Sequence, residues 1–329
     1  MTYQAAGVTL ADVQRPVVGQ LDAVVGQLRS IVAADFPLIQ EVNGHLLQMK
    51  GKLFRPTLLL LANEASGARD GRAVRLAAVI ELIHLATLVH DDSVDHSVLR
   101  RGMPTVNALF SHQVSVIMGD YLYSRAIIEL VRLDDLEPLR VLSRVTNEMT
   151  VGEMRQLAQY DALAFRETDY EVTIRSKTAT LLSAACESGA LRAEPRLRAA
   201  LRGYGDALGM AFQIVDDLLD YTEVEAVTGK PGGQDLREHK MTLPLIAALP
   251  HLNASERGRV EALFAAPQPS DEQVARVIEL VERYDGLAYA RERAAAYTSQ
   301  AEAALDELPP SVARDALAGA IAYAVERRR

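Results

Sequence analysis

Two acidic boxes carry the chemistry of this sequence: Asp91-Asp92-Ser93-Val94-Asp95 and Asp216-Asp217-Leu218-Leu219-Asp220. On an α-helix, residues four apart share a face, while the next residue turns away by roughly 100°. Asp91 and Asp95 are therefore expected on one face with Asp92 flanking it, and Asp216, Asp220 and Asp217 repeat the arrangement. Each box follows an apolar run, Leu82 to Val89 and Met210 to Val215, that reads as buried helix. One acid run at a helix end is ordinary solvated surface or capping. Two boxes behind buried helices are different, because six carboxylates facing one another are costly unless cations fill the gap. Magnesium binds through a few carboxylates, keeps waters and completes its shell with phosphate oxygens. The boxes thus predict a Mg2+ site for a very anionic, phosphorylated ligand.

Cationic residues gather at the chain breaks near these acids: Lys50, Lys52 and Arg55, then Arg100-Arg101-Gly102, Lys177-Thr178 and Thr228-Gly229-Lys230. Each alone is common surface decoration at a helix end. Together they read as a cradle for phosphate charge. No Walker loop or dinucleotide glycine pattern is present, so metal and side chains must hold the phosphates. His84 lies seven residues before Asp91, almost two helical turns, and is expected to face the same cavity. His90 and His96 read as structural or exposed, and Gln156 as cavity wall.

The elements that must position these groups are helical almost throughout. Apolar residues recur at three- and four-residue spacing in Val17–Val32, Leu53–Ala65, Val74–Val89, Val114–Val131, Leu139–Leu157, Tyr170–Leu191, Leu197–Tyr221, Leu243–Ala248, Val260–Phe264, Val274–Tyr284 and Ala288–Leu305. Strand-like alternation is hard to find, so the fold class expected is all-α. The breaks, such as Gly102-Met103-Pro104 and Arg132–Pro138, are too short to be interdomain linkers, and residues 1–329 read as one large helical domain. Residues up to Thr9 are expected to fray. A net charge of −9 argues against a nucleic-acid partner. The single cysteine, Cys186, excludes an internal disulfide framework and suits a reducing cytoplasm, with the residue itself expected in the core. No segment approaches the unbroken apolar span of ~20 residues of a membrane helix, and no secretory signal is recognisable, so a cytoplasmic protein with no membrane span is expected.

The motifs now become specific. His90 to Asn107 resembles the first aspartate-rich motif of the trans-type polyprenyl diphosphate synthases, and Phe212 to Asp220, followed by Gly229-Lys230, resembles the second. Gly51-Lys-Leu-Phe-Arg-Pro56, Gly119-Asp-Tyr-Leu122, Gly152-Glu-Met-Arg-Gln156 and Lys177-Thr-Ala179 fall where that family carries further motifs. The resemblance implies a single antiparallel bundle of long helices around a deep central cavity, a homodimer, and several Mg2+ ions per site. The implied reaction condenses isopentenyl diphosphate head-to-tail onto an allylic diphosphate. It implies Asp91, Asp92, Asp95, Asp216, Asp217 and Asp220 on the metals. Arg100, Lys177, Thr178, Gln213 and Lys230 would meet the allylic diphosphate, and Lys52, Arg55, His84 and Arg101 would hold isopentenyl diphosphate. The chain departs from the family pattern at Lys50 and Leu53, where many members have glycine and arginine.

In that family a bulky aromatic four or five residues before the first motif closes the pocket and gives short products. Ala86 and Thr87 stand there, both small, so a product beyond fifteen carbons is expected, in the thirty- to fifty-carbon range. Met118, Tyr121, Leu122, Tyr123 and Ile127 are floor candidates, although small residues at 86 and 87 also serve close helix packing. The rival readings are a terpene cyclase, a head-to-head prenyl synthase, and a non-catalytic subunit of a heteromeric synthase. The Lys52–Arg55 segment with Arg101 argues against the first two, and two intact acid boxes argue against the third.

Overall fold

The computed structural model describes residues 7–49, 51–157, 162–222 and 232–325. Its chain order begins with α1 (Leu10–Gln14), a 3₁₀ turn (Arg15–Val17), α2 (Val18–Val32), α3 (Pro37–Gln48), α4 (Phe54–Ala65) and α5 (Ala73–Val94). A short hairpin follows, β1 (Leu99–Arg100) and β2 (Met103–Pro104), then α6 (Val106–Leu109), α7 (His112–Val131) and α8 (Leu136–Leu157). The run expected as one helix from Tyr170 to Leu191 is broken into α9 (Glu167–Ile174), a π-helical segment (Arg175–Ala179) and α10 (Thr180–Gly189). Then come α11 (Pro195–Thr222), α12 (Gln234–Arg237), α13 (Leu243–Ala248), α14 (Ala254–Ala265), α15 (Asp271–Arg283), α16 (Gly286–Leu305) and α17 (Val312–Val325). The all-α architecture is as expected. α3 and α17 were not anticipated. α17 is written largely in alanine, which gives little apolar contrast, yet Leu317, Ala320 and Ala324 are fully or nearly fully buried.

The core explains why α5 carries the first acid box. Leu76 to Ile83, the charged Glu81 included, are almost wholly buried, because α5 packs against α2, α4, α7 and α10 at once. α5 is long and apolar enough to cross a membrane by length and composition, which departs from the sequence expectation, but most of it is buried in the bundle. Its hydrophobicity is that of a central core helix. On α4, Leu58, Leu59, Leu60 and Leu61 are all fully buried, each contributing roughly 1.5–3 kcal/mol. α11 crosses two apolar clusters. Leu201, Tyr204 and Leu208 join the α2–α5–α10 cluster, whereas Met210 to Tyr221 join the cluster built with α13 to α16. The Tyr204 hydroxyl donates to Leu317 O at 2.8 Å, which fastens α17 to α11.

Part of the stretch expected to fray is built into the fold. Thr9 caps α1: its hydroxyl accepts from Asp12 N, and its N–H donates to the Asp12 carboxylate at 3.1 Å. Val8 packs on the core beside it. Residues 1–6 lie outside the described residues.

Candidate active site

The first acid box ends α5, with Asp95 as C-cap residue and its N–H donating to Asp91 O at 2.8 Å. Burial pushes the Asp91 carboxyl up to about 6, against the pull of Lys177 and Arg100 and with help from Glu153 and Asp95. Asp92 is buried, and Arg100 grips it: Nε donates to both oxygens at 2.9 Å, and Nη2 lies 2.8 Å from Oδ1. The two side chains that the resemblance assigns separately, to metal and to diphosphate, are therefore in contact. The hairpin makes this possible. β1 pairs with β2 so that Arg100 opposes Met103, and both turn residues, Arg101 and Gly102, have positive φ, as a tight two-residue hairpin turn requires.

The second box is built differently. Asp217 is buried on α11 and accepts from the Tyr170 hydroxyl at 2.6 Å and the Gln213 amide at 2.9 Å. Burial, Asp235 and Asp216 push its carboxyl up to about 7, against those two hydrogen bonds. Thr178 donates to Gln213 Oε1 at 2.8 Å, so a hydrogen-bond chain runs from the π-helical segment to Asp217. Asp220 turns its two oxygens to the N–H groups of Gln234 and Asp235 at 3.0 and 2.9 Å, stapling the start of α12 to α11. Burial raises its carboxyl, and these bonds oppose the rise. Asp216 is half-buried on the same helix.

Lys177 and Thr178 are presented by the π-helical segment, a local widening of the helix that recurs at functional sites. Two glycines let neighbours close on it. A Cβ on Gly209 of α11 would lie 2.4 Å from Ala179 Cα, and one on Gly152 of α8 would lie 2.4 Å from Ser176 Cβ. Lys177 Nζ lies 3.1 Å from Glu153 Oε1.

A cavity of about 640 Å³ joins these parts. Asp95 of the first box and Asp217 of the second both line it, with Gln156, Lys177, Thr178 and Gln213. Its wall also includes Tyr170, Asp235 and Lys240, which the sequence reading did not single out. Burial pushes the Asp235 carboxyl up to about 6, against nearby Lys240. Burial alone would depress Lys240, but Glu238, Asp235 and Asp95 hold its proton above the ordinary lysine range. Lys240 thus lies within electrostatic reach of both sides of the site. The available signal was Asp235 two residues after the Gly232-Gly233 pair, with Lys240 five residues further on.

Lys52, Arg55, His84 and Arg101 were expected together. Three of them do form a cluster: burial, then Arg55, Arg101 and Arg100, hold His84 well below its ordinary range and neutral. Lys52 is exposed, and its carbonyl accepts from the Gln14 amide at 2.9 Å. Lys230 and Lys50 lie outside the described residues. Ala86 and Thr87 do not line the cavity; Ala86 is buried, and the Thr87 hydroxyl donates to His84 O at 2.8 Å. Of the floor candidates, Met118 and Leu122 are buried, Tyr123 donates to Thr146 Oγ1 at 2.7 Å, and Tyr121 reaches the end of α2 at Val32 O, 3.2 Å away. His90 is held by Val116 O and Asp120, and His96 is exposed. Cys186 is a fully buried core residue whose thiol burial pushes up.

A second cavity of about 870 Å³ is larger, but apart from Phe165 at the shared edge its lining comes from other residues, among them Leu249, Tyr284 and Tyr289. It includes none of the acids or cations of the boxes, so size does not mark the chemistry here. Among the described residues, no three carboxylate, histidine or cysteine side chains converge enough to chelate an ion alone. The donor set is all hard oxygen, with the Asp91, Asp217 and Asp235 carboxyls raised above their ordinary range by burial. It fits Mg2+ whose remaining positions are filled by ligand oxygens and water.

The polyprenyl synthetase family profile matches residues 36–281. The chain is 38% identical over 318 residues to an all-trans-nonaprenyl-diphosphate synthase (geranyl-diphosphate specific) of Rhodobacter capsulatus, covering 96% of this chain and 97% of that one. It is 37% identical over 310 residues to the octaprenyl diphosphate synthase of Escherichia coli strain K12, covering 93% and 94%. A polyprenyl synthase from Caulobacter crescentus CB15, crystallised with calcium and isoprenyl diphosphate, matches with a TM-score of 0.90 at 33% identity over 98% of both chains. This chain belongs to the polyprenyl synthetase family.

Proposed function

We propose that this chain is a Mg2+-dependent trans-prenyltransferase that condenses isopentenyl diphosphate head-to-tail onto an allylic diphosphate, yielding an all-trans polyprenyl diphosphate longer than fifteen carbons. The observation that carries this reading is one cavity lined by acids of both boxes and rimmed by Lys177 and Lys240. Mg2+, when bound, supplies positive charge to the leaving diphosphate. Asp91, Asp95, Asp216 and Asp217 would hold it, while Asp92 and Asp220 orient their neighbours Arg100 and α12. Lys177, Lys240 and Arg100, with Lys230 as the resemblance suggests, neutralise the diphosphate as the allylic C–O bond breaks and its electron pair leaves with the phosphate. The isopentenyl double bond attacks the allylic carbon, and the resulting cation loses a proton to the departing diphosphate as the new double bond forms. Thr178 and Gln213 fix the diphosphate end of the cavity through their hydrogen-bond chain.

Lys52, Arg55, His84 and Arg101 hold isopentenyl diphosphate, with neutral His84 adding no charge to the two arginines. We read residues 1–329 as one catalytic domain in the cytoplasm, in keeping with a lone buried cysteine. The exposed Val116, Ile117, Ile128 and Val131 of α7 and Val151, Met154 and Leu157 of α8 support a homodimer joined through this apolar face. Incubation with Mg2+, excess isopentenyl diphosphate and, separately, geranyl, farnesyl and geranylgeranyl diphosphates tests the proposal by mass spectrometry. A ladder ending at one long all-trans product is expected. Consumption of the allylic diphosphate without elongation would move the function to a cyclase or head-to-head synthase.

A further inference from the structure

Glu81 stands out as a charged residue in the most deeply buried part of α5. It is 5% exposed, and Val79, Ile80, Leu82 and Ile83 around it are 0–1% exposed. A carboxylate there is costly unless cations meet it. Two do: burial raises the Glu81 carboxyl, and Arg55 and Arg101 pull it back down. The relation is mutual. Burial and Arg101 depress the Arg55 guanidinium, to about 10, while Glu81 supports its charge.

Gly51 marks where these groups meet. A Cβ built on Gly51 would lie 3.0 Å from Glu81 Oε1 and 3.5 Å from Arg101 Nη1, so carboxylate and guanidinium face the same gap. Arg101 is fixed from its own side by its positive φ and by Nη1 donating to Met49 O at 3.4 Å. Arg55 Nε is buried and has no hydrogen-bond partner among the described residues. Glu81 also lies one helical turn before His84, on the side of α5 that faces this cluster.

We propose that Glu81 is a positioning residue for isopentenyl diphosphate, holding the Arg55 and Arg101 guanidiniums side by side so that they receive the diphosphate without first being gathered against their mutual repulsion. The inference rests on the reading of Lys52, Arg55, His84 and Arg101 as the isopentenyl diphosphate pocket. Glu81 does not touch the substrate, since a carboxylate against a diphosphate would repel it. It acts from behind the arginines, and its effect belongs to binding.

The test combines steady-state kinetics with calorimetric binding of isopentenyl diphosphate to the full chain. Glu81→Gln keeps the volume and removes the charge. Expected are a rise of about tenfold in both Kd and KM for isopentenyl diphosphate, a KM for the allylic diphosphate within about twofold, and a kcat that falls less than KM rises. Glu81→Asp should recover most of the affinity. Gly51→Ala, which wedges a methyl between carboxylate and guanidinium while keeping all charges, should move KM in the same direction and stands in if Glu81→Gln does not fold. If Arg101→Gln raises the KM for isopentenyl diphosphate and neither Glu81→Gln nor Gly51→Ala does, the positioning role is wrong and the pocket reading stands. If none of the three moves it, the pocket reading falls as well. Equal losses for both substrates with a lower melting temperature would make Glu81 merely structural and overturn the proposal.

Discussion

The two charged regions of α5 solve opposite problems on one helix. At its end, carboxylates crowd: burial holds Asp91 near 6, and across the cavity Asp217 near 7 and Asp235 near 6. Two to three turns earlier, cations crowd: burial depresses Arg55 and His84, and the arginines repel one another across Glu81. Under the proposed function the acidic region would be completed by cations and the basic one by an anion. A condensation of two diphosphates requires this asymmetry, because one diphosphate must leave and the other must stay. Under the proposed function, metal at the acidic end would stabilise charge that develops during reaction, whereas arginines at the basic end would bind charge that never changes.

The comparison breaks most readily through the acids. Asp91→Asn should lower kcat by about 10²–10³-fold while leaving the KM for isopentenyl diphosphate within about threefold, measured by initial rates with saturating Mg2+. Arg101→Gln should do the reverse, raising the KM for isopentenyl diphosphate by roughly 10–100-fold with kcat changed far less. Equal losses in kcat and KM for both variants would erase the distinction between the two regions.

Between them on α5 lie Ala86 and Thr87, and here the expected effect on rate is smaller. Ala86→Phe places an aromatic ring in a buried position of α5, and it should shorten the product while leaving the first condensation within about fivefold. Mass spectrometry of the product ladder checks this, and an unchanged ladder would remove residues 86 and 87 from the tunnel wall.

How much of this was readable from the sequence follows from the kind of physics involved. The boxes were legible because helical periodicity and local spacing place them, Lys177 and Thr178 because they stand with the cations at the chain breaks, and Gln213 through the family resemblance alone; the structure puts Asp95, Lys177, Thr178, Gln213 and Asp217 around one cavity. Three features were not legible. The Asp92–Arg100 contact depends on the register of a two-residue hairpin, which no alternation of apolar residues announces. The Asp220 staple depends on the chain returning to α11 after a stretch with little periodicity, and Asp235 and Lys240 arrive with it. Tyr170 and Glu81 sit in apolar runs, where Tyr170 reads as core and Glu81 as an interruption; only long-range packing reveals what they face.

The smallest expected effect is also the one that separates the two regions without any substrate. In metal-free protein, Asp91, Asp217 and Asp235 carry carboxyls raised above the ordinary value near 3.8. Between pH 4 and 7 the folded chain therefore binds more protons at these groups than the unfolded chain does. Their contribution to stability is fully present in acid and is lost as pH rises through about 6 to 7. His84 runs the other way. Its folded pKa is depressed, so the unfolded chain takes up the extra proton, and stability is lost as pH falls below about 6.5. Melting in chelator should rise by about 2–4 °C from pH 8 to pH 6.5 and then turn over as His84 and the remaining acid-sensitive groups take effect. Asp217→Asn should flatten the rise, and His84→Gln should soften the fall on the acid side. A variant at one region that altered both limbs alike would mean that the two titrate as one unit, and that α5 does not keep its opposing charges apart.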